Sequence, residues 1–104
     1  MELVEKVYAV TKSFPKEEQY VLSSQIRRSA ISVPSNIAEG AARKGNKENL
    51  QFLYISLGSL SELETQILIS KRINILDSET ELIHLIEKTR KKLLNFIKYI
   101  KTLN

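Results

Sequence analysis

The strongest constraint on this chain is a repeat of apolar side chains at spacings of three and four along its last quarter. Leu82, Ile86, Thr89, Leu93, Phe96, Ile100 and Leu103 follow one another at that interval, which places them on one face of an α-helix. Ile83, Leu94 and Ile97 widen the stripe beyond a strict coiled-coil seam. Such a face has to be buried against other elements. No strand-like alternation and no hairpin signal competes anywhere in the sequence, so the partners are expected to be helices as well.

Three further segments supply them. The first covers about residues 2–13, with Leu3, Val4, Val7, Tyr8 and Val10 at helical spacing. It stops at Phe14-Pro15, because a residue before proline is pushed out of the α region. Pro15 suits the opening of the next helix, and Glu17 and Glu18 suit its positive dipole end. That second helix, about 16–43, carries Leu22, Ile26, Ala30, Val33, Ile37 and Ala41 on one stripe, with Pro34 inside it. A proline there removes a donor and collides with the carbonyl of Ala30, so a kink is expected. Ser29, Ser32, Ser35 and Asn36 stand ready to bond backbone groups around it. A break into two helices at Ser32-Val33 is the alternative.

Arg43-Lys44-Gly45-Asn46 reads as a basic last turn, a glycine beyond the helix end and an asparagine N-cap. The third helix, about 47–73, shows Leu50, Leu53, Leu57, Leu60, Ile67 and Lys71 in an a/d-like rhythm that Glu64 interrupts, with Phe52 and Leu63 beside it. The fourth spans about 78–102, where Ser78 and Glu81 fit a capping box. Short connections favour antiparallel neighbours, so the expected fold is all-α: one domain over residues 1–104, an antiparallel up-down-up-down four-helix bundle. The first helix is the shortest, which leaves one end of the bundle partly uncovered and inviting to a protein partner.

Composition narrows the chemistry. With 0 Cys among 104 residues, disulfides, thiolate metal sites and a cysteine nucleophile are excluded. No run approaches the roughly 18 apolar residues of a membrane span, and Met1-Glu2-Leu3-Val4-Glu5-Lys6 is unlike a secretory signal. A cytoplasmic protein that contacts no membrane is the expectation. The net charge of +4 is unevenly spread: residues 27–47 carry 5 basic and 1 acidic groups, and 88–104 carry 6 and 0. Residues 48–87 carry 2 and 7.

Candidate sites follow from these patterns. Glu81-Leu82-Ile83-His84 matches one Glu-x-x-His motif of a di-metal bundle, but His84 is the only histidine and a second copy cannot exist. No metal or other cofactor is expected. Glu39, Glu62 and Glu64 lack the partner and pocket that a catalytic carboxylate needs. Glu64, on the apolar side of its helix, is expected to pair with Arg27 or Arg28, inside one chain or across a subunit contact. No enzyme activity is expected. Much of the basic and acidic pattern complements helix dipoles. Beyond that, the topology gathers Arg43, Lys44, Lys47, Lys98 and Lys101 at one end, with Lys88, Arg90, Lys91 and Lys92 extending positive charge up the fourth helix. Such a surface suits a phosphate backbone. No DNA-reading motif or aromatic stacking platform is evident.

The run Gln25-Ile26-Arg27-Arg28-Ser29-Ala30-Ile31-Ser32-Val33-Pro34-Ser35-Asn36-Ile37-Ala38-Glu39-Gly40 is similar to a signature of a bacterial family. So is Phe52-Leu53-Tyr54-Ile55-Ser56-Leu57-Gly58-Ser59-Leu60-Ser61-Glu62-Leu63-Glu64-Thr65-Gln66. Both resemble the four-helix bundle proteins encoded within intervening sequences of 23S ribosomal RNA genes, with similarity from about Val7 to the end. The resemblance implies a bundle assembled as a ring, a homopentamer. It also implies a related branch, the accessory proteins of diversity-generating retroelements, which bind nucleic acid and a reverse transcriptase through a basic surface. Members carry a further stretch of helix before the equivalent of Glu2. Within the signature, Pro34 is expected to set the kink, and Gly58 with Ser56 and Ser59 to permit close helix approach. Arg27, Arg28, Glu39, Glu62 and Glu64 are expected to fix helix or subunit contacts. Two functions follow as expectations: RNA or DNA binding by a homo-oligomer through Arg43, Lys44, Lys47, Lys91, Lys92, Lys98 and Lys101, or a scaffold that docks a protein partner.

Overall fold

The computed structural model describes residues 1–103, with the side chains of residues 18–20 outside the description; the expectation for the Glu18 carboxylate therefore lies outside it. Helix α1 is Glu2–Thr11. Helix α2 is a continuous run made of Lys16–Glu18, a π-helical turn Gln19–Ser23 and Ser24–Ala41. Helix α3 is Asn46–Arg72 and α4 is Thr80–Lys101. No strand occurs among the described residues.

Side-chain pairs fix the direction of each seam. Ser29 meets Glu62 (3.0 Å), Ser32 meets Ser59 (2.9 Å), and Ser56 donates to the carbonyl of Val33 (2.8 Å). One index rises as the other falls, so α2 and α3 run antiparallel. Glu64 with Arg90 and Tyr54 with Lys101 give the same sense for α3 and α4. Lys6 with Glu81 and Glu2 with Lys88 give it for α1 and α4. The bundle is thus up-down-up-down, about 48 Å long. Its core is built from the expected stripes, with Val7, Ile26, Ala30, Val33, Leu53, Leu60, Leu63, Ile67 and Ile86 fully buried.

Several local expectations are corrected. Helix α2 runs unbroken through Pro34, as expected, which rules out the alternative break at Ser32-Val33; an irregular turn not foreseen lies at Gln19–Ser23. Asn36 bonds back to the carbonyl (2.8 Å) and hydroxyl (2.9 Å) of Ser32. The Ser78–Glu81 capping box does not form: Glu79 is the N-cap residue and caps with no side-chain bond. Glu81 is drawn instead to Lys6, 2.9 Å away on α1. At the start of α3 the N-cap is Gly45, in extended backbone, and Asn46 is the first helical residue. Helix α3 ends where Asn74 takes φ 62°, the left-handed conformation that asparagine tolerates at a helix stop. The carbonyl of Ser70 then accepts from both Ile75 (3.0 Å) and Leu76 (3.1 Å).

The glycine that permits close helix approach is Gly40, not Gly58. A β-carbon at Gly40 would lie 2.7 Å from Asn49 Oδ1 and 2.8 Å from Phe52 Cβ. At Gly58 it would meet nothing within 4 Å, because Gly58 faces outward while Ser56 and Ser59 face α2. Gly40→Ala is expected to destabilise the fold by about 1–3 kcal/mol, the usual cost of overpacking. Chemical denaturation checks this, and unchanged stability would show that α2 and α3 are not held this closely.

Candidate nucleic-acid interface

The basic end is assembled by chain reversal. Helix α2 stops at Ala41, the link Ala42–Gly45 turns the chain, and α3 begins at Asn46. Arg43 and Lys44 therefore lie just past α2, and Lys47 lies in the first turn of α3. Antiparallel packing brings the last turn of α4, with Lys98 and Lys101, to the same end. The Arg43 guanidinium pairs with Glu39 at 2.6 Å and lies 4.8 Å above the Phe52 ring. Lys101 sits 5.6 Å from the centre of the Tyr54 ring. Arg43 and Lys101 are thus braced by neighbours, in a way that adds modest stability at exposed sites.

Among the described residues, Lys44, Lys47, Lys91, Lys92 and Lys98 make no ion pair, and all five are exposed. Their placement divides them. Lys91 and Lys98 are seven residues apart, two helical turns, on the outward ridge of α4. Lys92 leans the other way, into a groove shared with Met1, Leu3 and Ile37. Lys44 and Lys47 hold the end of the bundle itself, and Lys98 lies further in, one turn before Lys101 on α4. The helix dipole accounts for Lys98 and Lys101, in the last turn of α4. It gives no reason for Lys47, which sits at the positive end of α3.

Tyr54 was missed from sequence as a member of this surface. Tyr54 is 45% exposed and carries Lys101 over its ring, an exposed cation–π pair on the outer side of the bundle. Its signal is legible: it falls outside the Leu50-Leu53-Leu57-Leu60 rhythm of α3. Phe52, expected in a second apolar strip, is only partly buried, with Arg43 above it.

Several of the other singled-out residues make contacts within the chain. Arg27 donates to Thr11 Oγ1 (2.8 Å) and lies 4.9 Å over the Tyr8 ring, tying α1 to α2. Glu62 accepts from the buried Ser29 hydroxyl. Glu64 pairs with Arg90 of α4 at 2.7 Å, not with Arg27 or Arg28, because it lies on the α4 side of α3. Burial alone would lower the Arg90 pKa, but bonds to Glu64 and the nearby charge of Glu87 outweigh it and hold the value above normal. Arg28 is exposed, without a partner among the described residues, beside Glu62 in a polar hollow with Gln25, Ser32 and Gln66. His84 is exposed on the outer ridge of α4, and Glu81 is engaged by Lys6. No group of three potential metal ligands occurs among the described residues.

These features define a class: a small all-α, antiparallel four-helix bundle with exposed cations toward one end. A family model described as "23S rRNA-intervening sequence protein" matches residues 1–95, and the chain belongs to that family. The match takes in all of α1, further toward the N-terminus than Val7, and ends inside α4. No curated protein matches the chain. Among the described residues no helix is long and apolar enough to cross a membrane.

The Glu64–Arg90 pair yields a direct test of the α3–α4 register. Arg90→Met strands a half-buried carboxylate and is expected to cost about 1–3 kcal/mol. Adding Glu64→Gln should recover part of that loss. A double mutant as unstable as the sum of two independent losses would contradict the pairing.

Proposed function

We propose that this protein is a non-enzymatic, cytoplasmic homo-oligomer that binds RNA or DNA through its basic end. The observation that supports the binding reading is the set of exposed lysines toward one end that make no ion pair among the described residues, Lys44, Lys47 and Lys98, together with the exposed Tyr54 beside Lys101. Lys91 extends that surface up α4, while Arg43 and Lys101 shape it from braced positions. Recognition of this kind reads phosphates, so it is strongly salt-dependent and weakly sequence-specific.

Assembly is supported by the outer face of α3. Ile55, Leu68 and Ile69 are each 46–50% exposed there, while the opposite face of the helix is buried. A helix that is apolar on both sides is normally covered on both. Gly58 lies midway along this outer face with open space around it, where a neighbouring helix could approach closely. Glu62 on α3 and Arg28 on α2 are exposed on its flank and complementary in charge. The occupant we assign to this face is a second copy of the chain, and the family resemblance argues for a ring of five. A ring would repeat the basic end around its axis and multiply the field that attracts a polyanion.

The second reading is an accessory scaffold that docks a protein and touches no nucleic acid. It is favoured by the apolar groove beside α1, lined by Leu3, Ile37, Leu93 and Phe96.

Filter binding of a structured RNA across a salt series separates these readings. Retention at low salt is expected, and reversing Lys44, Lys47 and Lys98 to Glu should lower the salt slope by about 2 for each chain engaged. No retention at low salt would remove the nucleic-acid reading. Gly58→Arg probes assembly separately. The chain has room for it, so helicity should persist while native mass falls to that of one chain. Unchanged mass would take the contact away from α3.

A further inference from the structure

Two outward ridges of this bundle differ in a way that makes them complementary. On α3, Gln51, Ile55, Gly58, Glu62, Thr65 and Ile69 follow at spacings of three and four and are all exposed, so they form one line along the helix. On α2 the matching line is Arg28, Ile31, Ser35 and Ala38, exposed as well. Among the described residues, Val21 and Ile31 are the large apolar side chains that α2 leaves uncovered, at 61% and 41% exposure. Arg28 and Glu62 border the same hollow between the two helices, yet no ion pair joins them.

The α3 ridge does not complement itself. A two-fold contact of α3 with α3 that sets Ile55 on Ile69 also sets Glu62, midway between them, on Glu62 of the other copy. Like charges brought together across a contact are unfavourable. A two-fold contact closes at two chains, whereas a ring needs two different faces on each chain. We propose that the copies join head to tail, the outer ridge of α2 on one chain packing antiparallel against the outer ridge of α3 on the next, with Arg28 paired to Glu62 across the contact. This rests on the assembly reading above and adds the face that answers α3. In a ring of bundles standing side by side every copy sits at one height, so side chains that are level within a chain stay level across the contact. Within the chain Ser29 is level with Glu62, Ser32 with Ser59 and Val33 with Ser56. Arg28 of one copy therefore comes level with Glu62 of the next, Ser35 with Ile55, and Ile31 with the open space at Gly58. Charge meets opposite charge, a small side chain meets an isoleucine, and an isoleucine meets a glycine. Further along, Val21 approaches Ile69.

The chain has no cysteine of its own, so introduced ones report the contact cleanly. Ile31→Cys and Gly58→Cys chains, one of them carrying a size tag, are co-expressed and oxidised, and the native mass of the wild type is measured alongside. A disulfide needs Cα atoms within about 7 Å. A mixed covalent dimer is expected, with neither variant joining itself, and a wild-type mass above two chains. Arg28 is exposed without a partner among the described residues, so Arg28→Glu should keep its helicity while the dissociation constant of the assembly rises on the order of tenfold. A native mass of one chain would remove the assembly reading and this inference together. A mass of two chains, or Gly58→Cys joining itself, would leave assembly standing and overturn the head-to-tail contact. A larger mass without the mixed dimer, or an assembly indifferent to Arg28→Glu, would overturn the pairing of these two faces alone.

Discussion

The close seam between α2 and α3 is the constraint on which the remaining architecture depends. Its tightest point is Gly40, whose absent side chain lets Asn49 and Phe52 come nearer than any β-carbon would allow. Toward the middle, Ser56 gives its hydroxyl to the Val33 carbonyl and Ser32 meets Ser59. Ser29 then reaches Glu62. Small polar residues here let two backbones approach while leaving their buried hydroxyls bonded, as low-dielectric interiors require. Apolar residues of ordinary size would hold the helices further apart, and the pairings on either side of α3 would lose register.

From that seam the rest follows in order. Fixing α3 against α2 presents Glu64 to α4, where Arg90 answers it, and presents Tyr54 beneath Lys101. It also turns Ile55, Gly58 and Ile69 away from the core. The basic end is thus a product of packing as well as composition: Arg43 rests on Phe52 and Lys101 on Tyr54, two side chains of α3 near the same end. Helix α1 is held along the fourth side by the pairs Lys6–Glu81 and Glu2–Lys88.

Much of this architecture is legible in the sequence, since a repeat of three and four is a local property. The Leu82–Leu103 stripe of α4 and the Leu50–Leu60 rhythm of α3 mark their helices without reference to anything distant. The particulars that escape are non-local. Glu64 and Arg90 belong to different helices, and nothing within either one announces their alignment. Gly40 and Gly58 look alike in isolation. Gly40, however, continues the Val33-Ile37 stripe at spacings of four and three, whereas Gly58 falls off the Leu57-Leu60 face. The capping box does not form because Glu79, not Ser78, is the N-cap, and Glu81 reaches Lys6 on another helix instead. Of the candidate interface, the gathering of cations followed from topology alone. The split between Lys91 and Lys92, and the exposed ring of Tyr54, required the structure.

A bundle whose small side chains are spent on holding helices together, and whose unpaired charges lie outside, points to a function of the assembled surface. Native mass spectrometry of the wild-type chain, with and without a structured RNA at low salt, tests that claim most directly. The account predicts a multiple of the 11.9 kDa chain that gains the mass of bound RNA and loses it as salt is raised. A single-chain mass that RNA leaves unchanged would contradict it.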